Sequence, residues 1–184
     1  MSERDTRGAA ILGWWQVNIG DRENGGARAL AARLRRAGRI EALAEPEVHE
    51  LARRLGLGPW PGDADRLVRL VQVLAEVRTH VGGRAGRLAA RFGGPEPALS
   101  SLRFQRLMRA EGEDLTAALR RALPMADRTC NLADLGTDLL GWDHPEWGDE
   151  IRARWCFEYF GAQAPETHTP EGADPAETPE ETRS

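Results

Sequence analysis

The chain has no lysine: all 25 of its basic residues are arginine. A lysine-free composition fits GC-rich coding, and it fits equally a demand for side chains that grip phosphate with two parallel N–H donors. Arginine number alone therefore decides nothing, and only the convergence of its positions carries weight. Cysteine is almost as scarce. Cys130 and Cys156 are 26 positions apart, with no C-x-x-C spacing and no adjacent histidine, which excludes a disulfide framework and the common zinc motifs and leaves two reduced thiols. No apolar run reaches the length of a membrane span, and the N-terminus lacks the charged and apolar pattern of a secretion signal, so a soluble, cytoplasmic protein is expected. Signatures of catalysis are missing as well: no P-loop, no G-x-G-x-x-G, no H-E-x-x-H and no nucleophile elbow. The histidines His49, His80, His144 and His168 lie far apart, and acid pairs such as Glu113 and Asp114 sit where helix starts favour carboxylates. No catalytic residue, metal ligand or cofactor is assigned.

A length of 184 residues allows one substantial core or two small ones packed together. The net charge of −4 is uneven. Residues 165–184, "PETHTPEGADPAETPEETRS", hold six acids, one arginine and almost nothing apolar, the composition of a disordered tail. The remaining 1–164 carry 24 basic and 23 acidic residues and are close to neutral.

Apolar residues recur at helical rather than alternating spacing almost throughout, which predicts an all-α fold. Helices are expected near 7–19, 27–37, after Pro46, 65–79, 102–110, 114–123, 131–140 and 150–160, with a weak one near 84–92. Asp63 or Asp65 is expected to cap the 65–79 helix, and Ser100 or Ser101 the one after it. The 65–79 and 150–160 segments are apolar over so wide an arc that both read as central. The glycine-rich stretch at 82–97 suggests a boundary between an N-terminal lobe, 1–92, and a C-terminal lobe, 98–164.

The arginines recur in stripes. Arg28, Arg35 and Arg39 fall within about 40° of one another on a helical projection of "GARALAARLRRAGR", opposite Leu30 and Leu34, with Arg33 and Arg36 flanking them. Arg84, Arg87 and Arg91 follow, then Arg103, Arg106 and Arg109, the doublet Arg120 and Arg121, and Arg152 and Arg154. One such stripe is ordinarily a solvated helix face. Several, each beside an apolar seam, point to a surface that follows a phosphate backbone, without sequence-specific base reading. Trp15 and Trp155 read as core, whereas Trp60 and Trp147 lie in loops and are free for a partner or a nucleobase.

The segments "GWWQ", "ARLRRAG", "GRLA", "LRFQRLMRAEGEDLTAALRRAL" and "LADLGTDLLGWD…IRARWCFEYFG" together resemble, over roughly residues 10–161, the CasB family, the small subunit of the type I-E CRISPR surveillance complex Cascade. The resemblance is most specific over 103–123 and 132–161. It implies two packed helical lobes, no enzymatic activity, a head-to-tail pair with a second copy, and contact with other Cascade subunits, CRISPR RNA and target DNA, including the displaced strand of the R-loop. Matched motif by motif, it assigns nucleic-acid contact to Arg35, Arg36, Arg87, Arg103, Arg109, Arg120 and Arg121. Arg28 and Arg152 join that set on charge placement, as Arg39, Arg84 and Arg154 do more weakly. The resemblance does not extend to the acidic tail, which serves either solubility or competition with nucleic acid for the arginines, and "GLGPWPGDADRL" puts acids where a basic contact would otherwise be expected. The alternative to a nucleic-acid subunit is a helical adaptor whose arginine stripes meet acidic protein surfaces.

Overall fold

The computed structural model describes residues 2–161, and the expected tail, 165–184, lies outside them. Among the described residues the fold is all-α, with ten α-helices. Helix α1 (Glu3–Trp15) starts earlier than its apolar pattern suggests, because Ser2 and Asp5 form a reciprocal capping box. A wide π turn, Gln16–Gly20, continues it. Asn24 accepts hydrogen bonds from the Gly26 and Ala27 amides and so opens α2 (Gly25–Arg36). Gly38 then takes an extended backbone, φ −73° and ψ −174°, and separates α2 from the short α3 (Arg39–Leu43). Helix α4 (Pro46–Leu55) has proline in its first turn and ends on Gly56 in the left-handed region at φ 67°, the asymmetry its sequence predicts.

Helix α5 (Asp63–Glu76) is the centre of the molecule. Leu70, Val71, Val73 and Leu74 are fully excluded from solvent, and α2, α3, α4, α8 and α9 all pack on it. Its N-cap is Gly62 rather than an aspartate. Asp63 is the first helical residue, and its carboxylate accepts the Gly58 amide instead, closing the preceding turn. Beyond α5 a two-residue parallel bridge joins Thr79–His80 (β1) to Thr129–Cys130 (β2). The glycine-rich stretch gives a 3₁₀ turn, Arg84–Gly86, and the short α6 (Leu88–Phe92).

Helices α7 (Ser101–Met108) and α8 (Gly112–Ala122) follow, with a 3₁₀ turn through Pro124 ending α8. Ser100 occupies the N-cap position of α7 but makes no side-chain capping bond. Helix α9 (Leu132–Gly141) starts at Asn131, whose side chain accepts the Asp134 amide, and α10 (Gly148–Tyr159) closes the described fold. Helix α10 is not central in the way its composition suggests. Ile151, Trp155 and Tyr159 are buried on one face, while Phe157 and Phe160 project from the surface.

Tight helix contacts are made through glycine. Helices α1 and α9 approach so closely that a Cβ on Gly8 would lie 3.1 Å from the Ala133 Cβ, and one on Gly136 would lie 2.8 Å from Ile11. A Cβ on Gly93 would overlap the Tyr159 carbonyl, which also accepts the Gly94 amide. A Cβ on Gly86 would likewise overlap the Val81 carbonyl, so the glycines at 86 and 93 serve close backbone crossings, and the one at 93 clamps α6 against α10. The four most buried tryptophans each spend their indole N–H on a fixed acceptor: Trp14 on the Glu47 carbonyl, Trp15 on Leu74, Trp142 on Ala110 and Trp155 on the Asp138 carboxylate. The buried apolar side chains form one continuous cluster from Ile11 to Tyr159.

These contacts separate two glycines that differ in what surrounds them. Gly93→Ala sets a methyl against backbone that has no rotamer to retreat into, and is expected to cost about 3 kcal/mol or more. Gly13 in α1 has open space around its Cα, so Gly13→Ala is expected to be neutral or to stabilise by up to about 1 kcal/mol through helix propensity. Thermal denaturation of both variants beside the parent checks the contrast.

Candidate nucleic-acid interface

Half of the arginines are ion-paired, some at the surface and some inside the fold. Of the 24 among the described residues, 12 lie within ion-pair distance of a carboxylate. The densest set surrounds the C-terminal end of α5, where the helix dipole is negative and Glu76 adds a buried carboxylate. Arg120 donates to Glu76 at 3.0 Å, and Arg128 donates to its other oxygen. Arg22 and Arg35 reach the free carbonyls of Val77 and Ala75 at 2.8 and 3.4 Å. Arg120 also donates to the Arg35 carbonyl, which ties α2 to α8. Burial, reinforced by repulsion from Arg35, Arg78 and Arg128 and opposed by Glu76, pulls the Arg22 guanidinium below its usual pKa.

A second network joins α1, α9 and α10. Asp138 is almost wholly buried and accepts from Arg4 at 2.7 Å, from Arg154 and from the Trp155 indole. Arg87 donates to Glu158 at 2.7 Å and to Asp134 at 3.2 Å. Burial opposes the charge on Arg87, but the Glu158 hydrogen bond and the two carboxylates outweigh it and hold the guanidinium above its usual pKa.

The arginines singled out from sequence divide accordingly. Arg87 and Arg120 point into these networks. Arg35 is half-buried on the Ala75 carbonyl, and Arg152 pairs with Asp149 at 3.0 Å and lies 5.5 Å from the Trp142 ring centroid. Arg39 is not on the stripe drawn through Arg28 and Arg35, because Gly38 breaks the helix; it belongs to α3 and pairs with Asp65 at 2.7 Å. Arg28 and Arg36 are exposed on α2 with no carboxylate within reach among the described residues. The remaining three, Arg103, Arg109 and Arg121, converge, and Arg106 joins them.

These four line one open groove of about 750 Å³ between α7 and α8, floored by Leu107, Ala118 and Ala122, with Asp114 as the one carboxylate in its lining. None of the four is within ion-pair distance of a carboxylate among the described residues, and Arg103 rests on the Met125 sulfur at 3.8 Å. The groove on the opposite flank of α8, about 490 Å³, contrasts with it: Arg39, Arg69 and Arg120 line it, but Asp65 and Glu113 line it too, and each of the three arginines already has a carboxylate. Adjacent residues on an α-helix point about 100° apart, which is why Arg120 and Arg121 serve different sides. Arg106 was visible in sequence as the middle of the every-third stripe, yet no motif match drew attention to it. Arg22 and Arg78 flank helix ends, where periodicity gives no signal.

Histidine, cysteine and carboxylate side chains form no group of three or more able to hold a metal ion among the described residues. No helix there is long and apolar enough to cross a membrane.

The described residues thus form an all-α body with an open groove lined by four arginines and one carboxylate. Residues 30–160 match the model of the family described as CRISPR-associated protein Cse2. The chain belongs to that family, the small subunits of the type I-E CRISPR surveillance complex. A curated relative, CRISPR-associated protein Cse2 of Thermus thermophilus, is 38% identical over 64 residues, which is 35% of this chain and 37% of the relative. The match thus spans little more than a third of that relative's length. No solved structure matches the chain.

Two outcomes follow from these environments. Glu76→Gln strands Arg120 and Arg128 beside a neutral amide; because both arginines keep some solvent contact, the expected loss is about 2–3 kcal/mol, whereas Arg121→Ala should change stability by less than about 0.5 kcal/mol, both read from denaturant midpoints. Burial pushes the Cys130 thiol up to about 12 and raises that of half-buried Cys156 as well. A thiol reagent near neutral pH should therefore modify no more than Cys156 in the native protein, and both thiols after unfolding.

Proposed function

We propose that the protein acts without catalysis of its own as a nucleic-acid-binding subunit of a type I-E Cascade effector, and that the α7–α8 groove is where it holds a phosphate backbone. The observation carrying this reading is the convergence of Arg103, Arg106, Arg109 and Arg121 on one groove with a single carboxylate in its lining. Four guanidinium forks facing open solvent repel one another, and an anion with regularly spaced charges relieves that repulsion. The partners in this reading are CRISPR RNA and target DNA, including the displaced strand. The subunit contributes backbone contacts that keep the R-loop open while guide pairing reads the sequence. Arg28 and Arg36 extend the basic surface along α2; Arg35, Arg87, Arg120 and Arg152 act in this scheme by holding the helices that carry it.

Contact with other Cascade subunits and with a second copy of the chain is assigned to a different surface. Phe157 and Phe160 lie one turn apart at the end of α10 and are about two-thirds exposed. Exposed aromatic pairs of this kind suit a protein partner better than a phosphate backbone. The same feature favours the adaptor reading, in which the arginines too meet protein.

The triple variant Arg103→Ala, Arg109→Ala, Arg121→Ala separates the two. It is expected to leave the fold and incorporation into the complex intact while weakening R-loop formation by tenfold or more. The slope of log affinity against log salt should fall by about 0.7–0.9 for each phosphate no longer neutralised. Unchanged R-loop formation with failed assembly would establish the adaptor instead. Gel-shift titration of assembled complexes at several salt concentrations gives both quantities.

A further inference from the structure

The groove has a second source of regularly spaced negative charge, and it is in the same chain. Residues 165–184 carry Glu166, Glu171, Asp174, Glu177, Glu180 and Glu181 against a single arginine. The last described residues before this segment pack beside the groove. Tyr159 stacks on Phe104 of α7 with ring centroids 3.9 Å apart, and its hydroxyl donates to the Leu99 carbonyl at 2.6 Å. Phe160 packs edge-on against Phe104 at 6.4 Å. Leu99 itself lines the groove beside Arg103. The last described residue, Gly161, adopts φ 66° and turns the chain off the α10 axis at this point.

Reach is not limiting. Helix α7 has eight residues and is about 12 Å long, whereas five extended residues beyond Gly161, enough to arrive at Glu166, span up to about 17 Å. Acids at 166, 171, 174 and 177 would thus pass Arg103, Arg106, Arg109 and Arg121 with chain to spare.

We propose that the acidic segment 165–184 occupies the α7–α8 groove of its own chain when no nucleic acid is there, and is displaced when a polynucleotide binds. The proposal rests on the groove being the nucleic-acid site argued above. Tethering supplies the segment at an effective concentration in the millimolar range, so a contact with a dissociation constant near 1 mM suffices to lower apparent nucleic-acid affinity about three- to fivefold. A longer polyanion, contacting more arginines and releasing more counterions, still displaces it. The device discourages the free subunit from coating unrelated single strands and costs little once the assembled complex presents its own nucleic acid at the groove.

The test uses the full-length protein and a full-length version carrying Glu166→Gln, Glu171→Gln, Asp174→Asn, Glu177→Gln, Glu180→Gln and Glu181→Gln. Both are titrated against a fluorescein-labelled oligothymidylate of about 20 nucleotides at low salt. The neutral-tail protein is expected to bind three- to fivefold tighter. In an Arg103→Ala, Arg121→Ala background the gain should shrink below twofold, because the tail then has little to compete for. No gain on neutralisation, or a gain that persists in full without those arginines and so reflects only long-range charge, overturns the proposal. A labelled peptide of residues 165–184 added to the neutral-tail protein distinguishes the two levels of the argument. If the peptide binds in a manner that requires Arg103 and Arg121 while oligonucleotide affinity ignores them, the tail contact stands and the nucleic-acid reading of the groove falls. If oligonucleotide binding requires those arginines but the peptide does not bind, the groove reading stands and the tail contact falls.

Discussion

The buried carboxylate of Glu76 and the free carbonyls around it, all at the C-terminal end of α5, form the constraint on which most of the molecule depends. A helix that ends inside a protein leaves carbonyls without partners and a negative dipole end, and a glutamate at that end adds to the problem. The solution draws one side chain from each neighbouring element: Arg22 from the turn before α2, Arg35 from α2, Arg120 from α8 and Arg128 from the turn before β2. Because each of these side chains has a fixed acceptor, α2 and α8 are held at a defined distance from α5. The surface that α8 presents is thereby fixed as well.

This arrangement gives a physical sense to a chain without lysine. An ammonium is a strongly hydrated point charge, whereas a planar guanidinium donates in several directions at once and is dehydrated at lower cost. Arg120 donates to a carboxylate of α5 and a carbonyl of α2 together. Arg154 bridges Asp138 and Glu158. One residue type thus supplies both the internal struts and the outward groove, and composition alone cannot separate the two uses. What separates them is the supply of carboxylates: wherever a stripe faces Asp134, Asp138, Glu76 or Glu158, it turns inward.

The helices were legible because burial imposes its period on the apolar residues, and α5 was recognisable as central from its wide apolar arc alone. The caps were read less well. Asp63 is a suitable cap by residue type, yet the Gly58 amide claims its carboxylate, a competition between local turns that depends on coordinates. Helix α10 misled for a different reason: its apolar residues occupy two faces, and only packing on α6 and α9 decides which is covered. The arginines were legible as stripes but not as roles. Gly38 removed Arg39 from the stripe assigned to it by interrupting a helix that the projection had continued. Arg87 reads like any other surface arginine until α9 and α10 bring Asp134 and Glu158 to it from 47 and 71 positions away.

It follows that motif strength and freedom from internal ion pairing are separate properties in this chain. The "LRR" doublet at 119–121 shows why within two residues. Leu119 is buried, which sets the rotation of α8. Arg120, about 100° further round, must then lie along the flank facing α5, where Glu76 captures it; Arg121, a further 100° on, must clear α5 and open onto α7. The pair cannot exchange roles without rotating the helix and exposing Leu119. A doublet that looks like a single basic site is a strut and a groove-lining residue side by side, and the strut keeps its neighbour aimed at the groove.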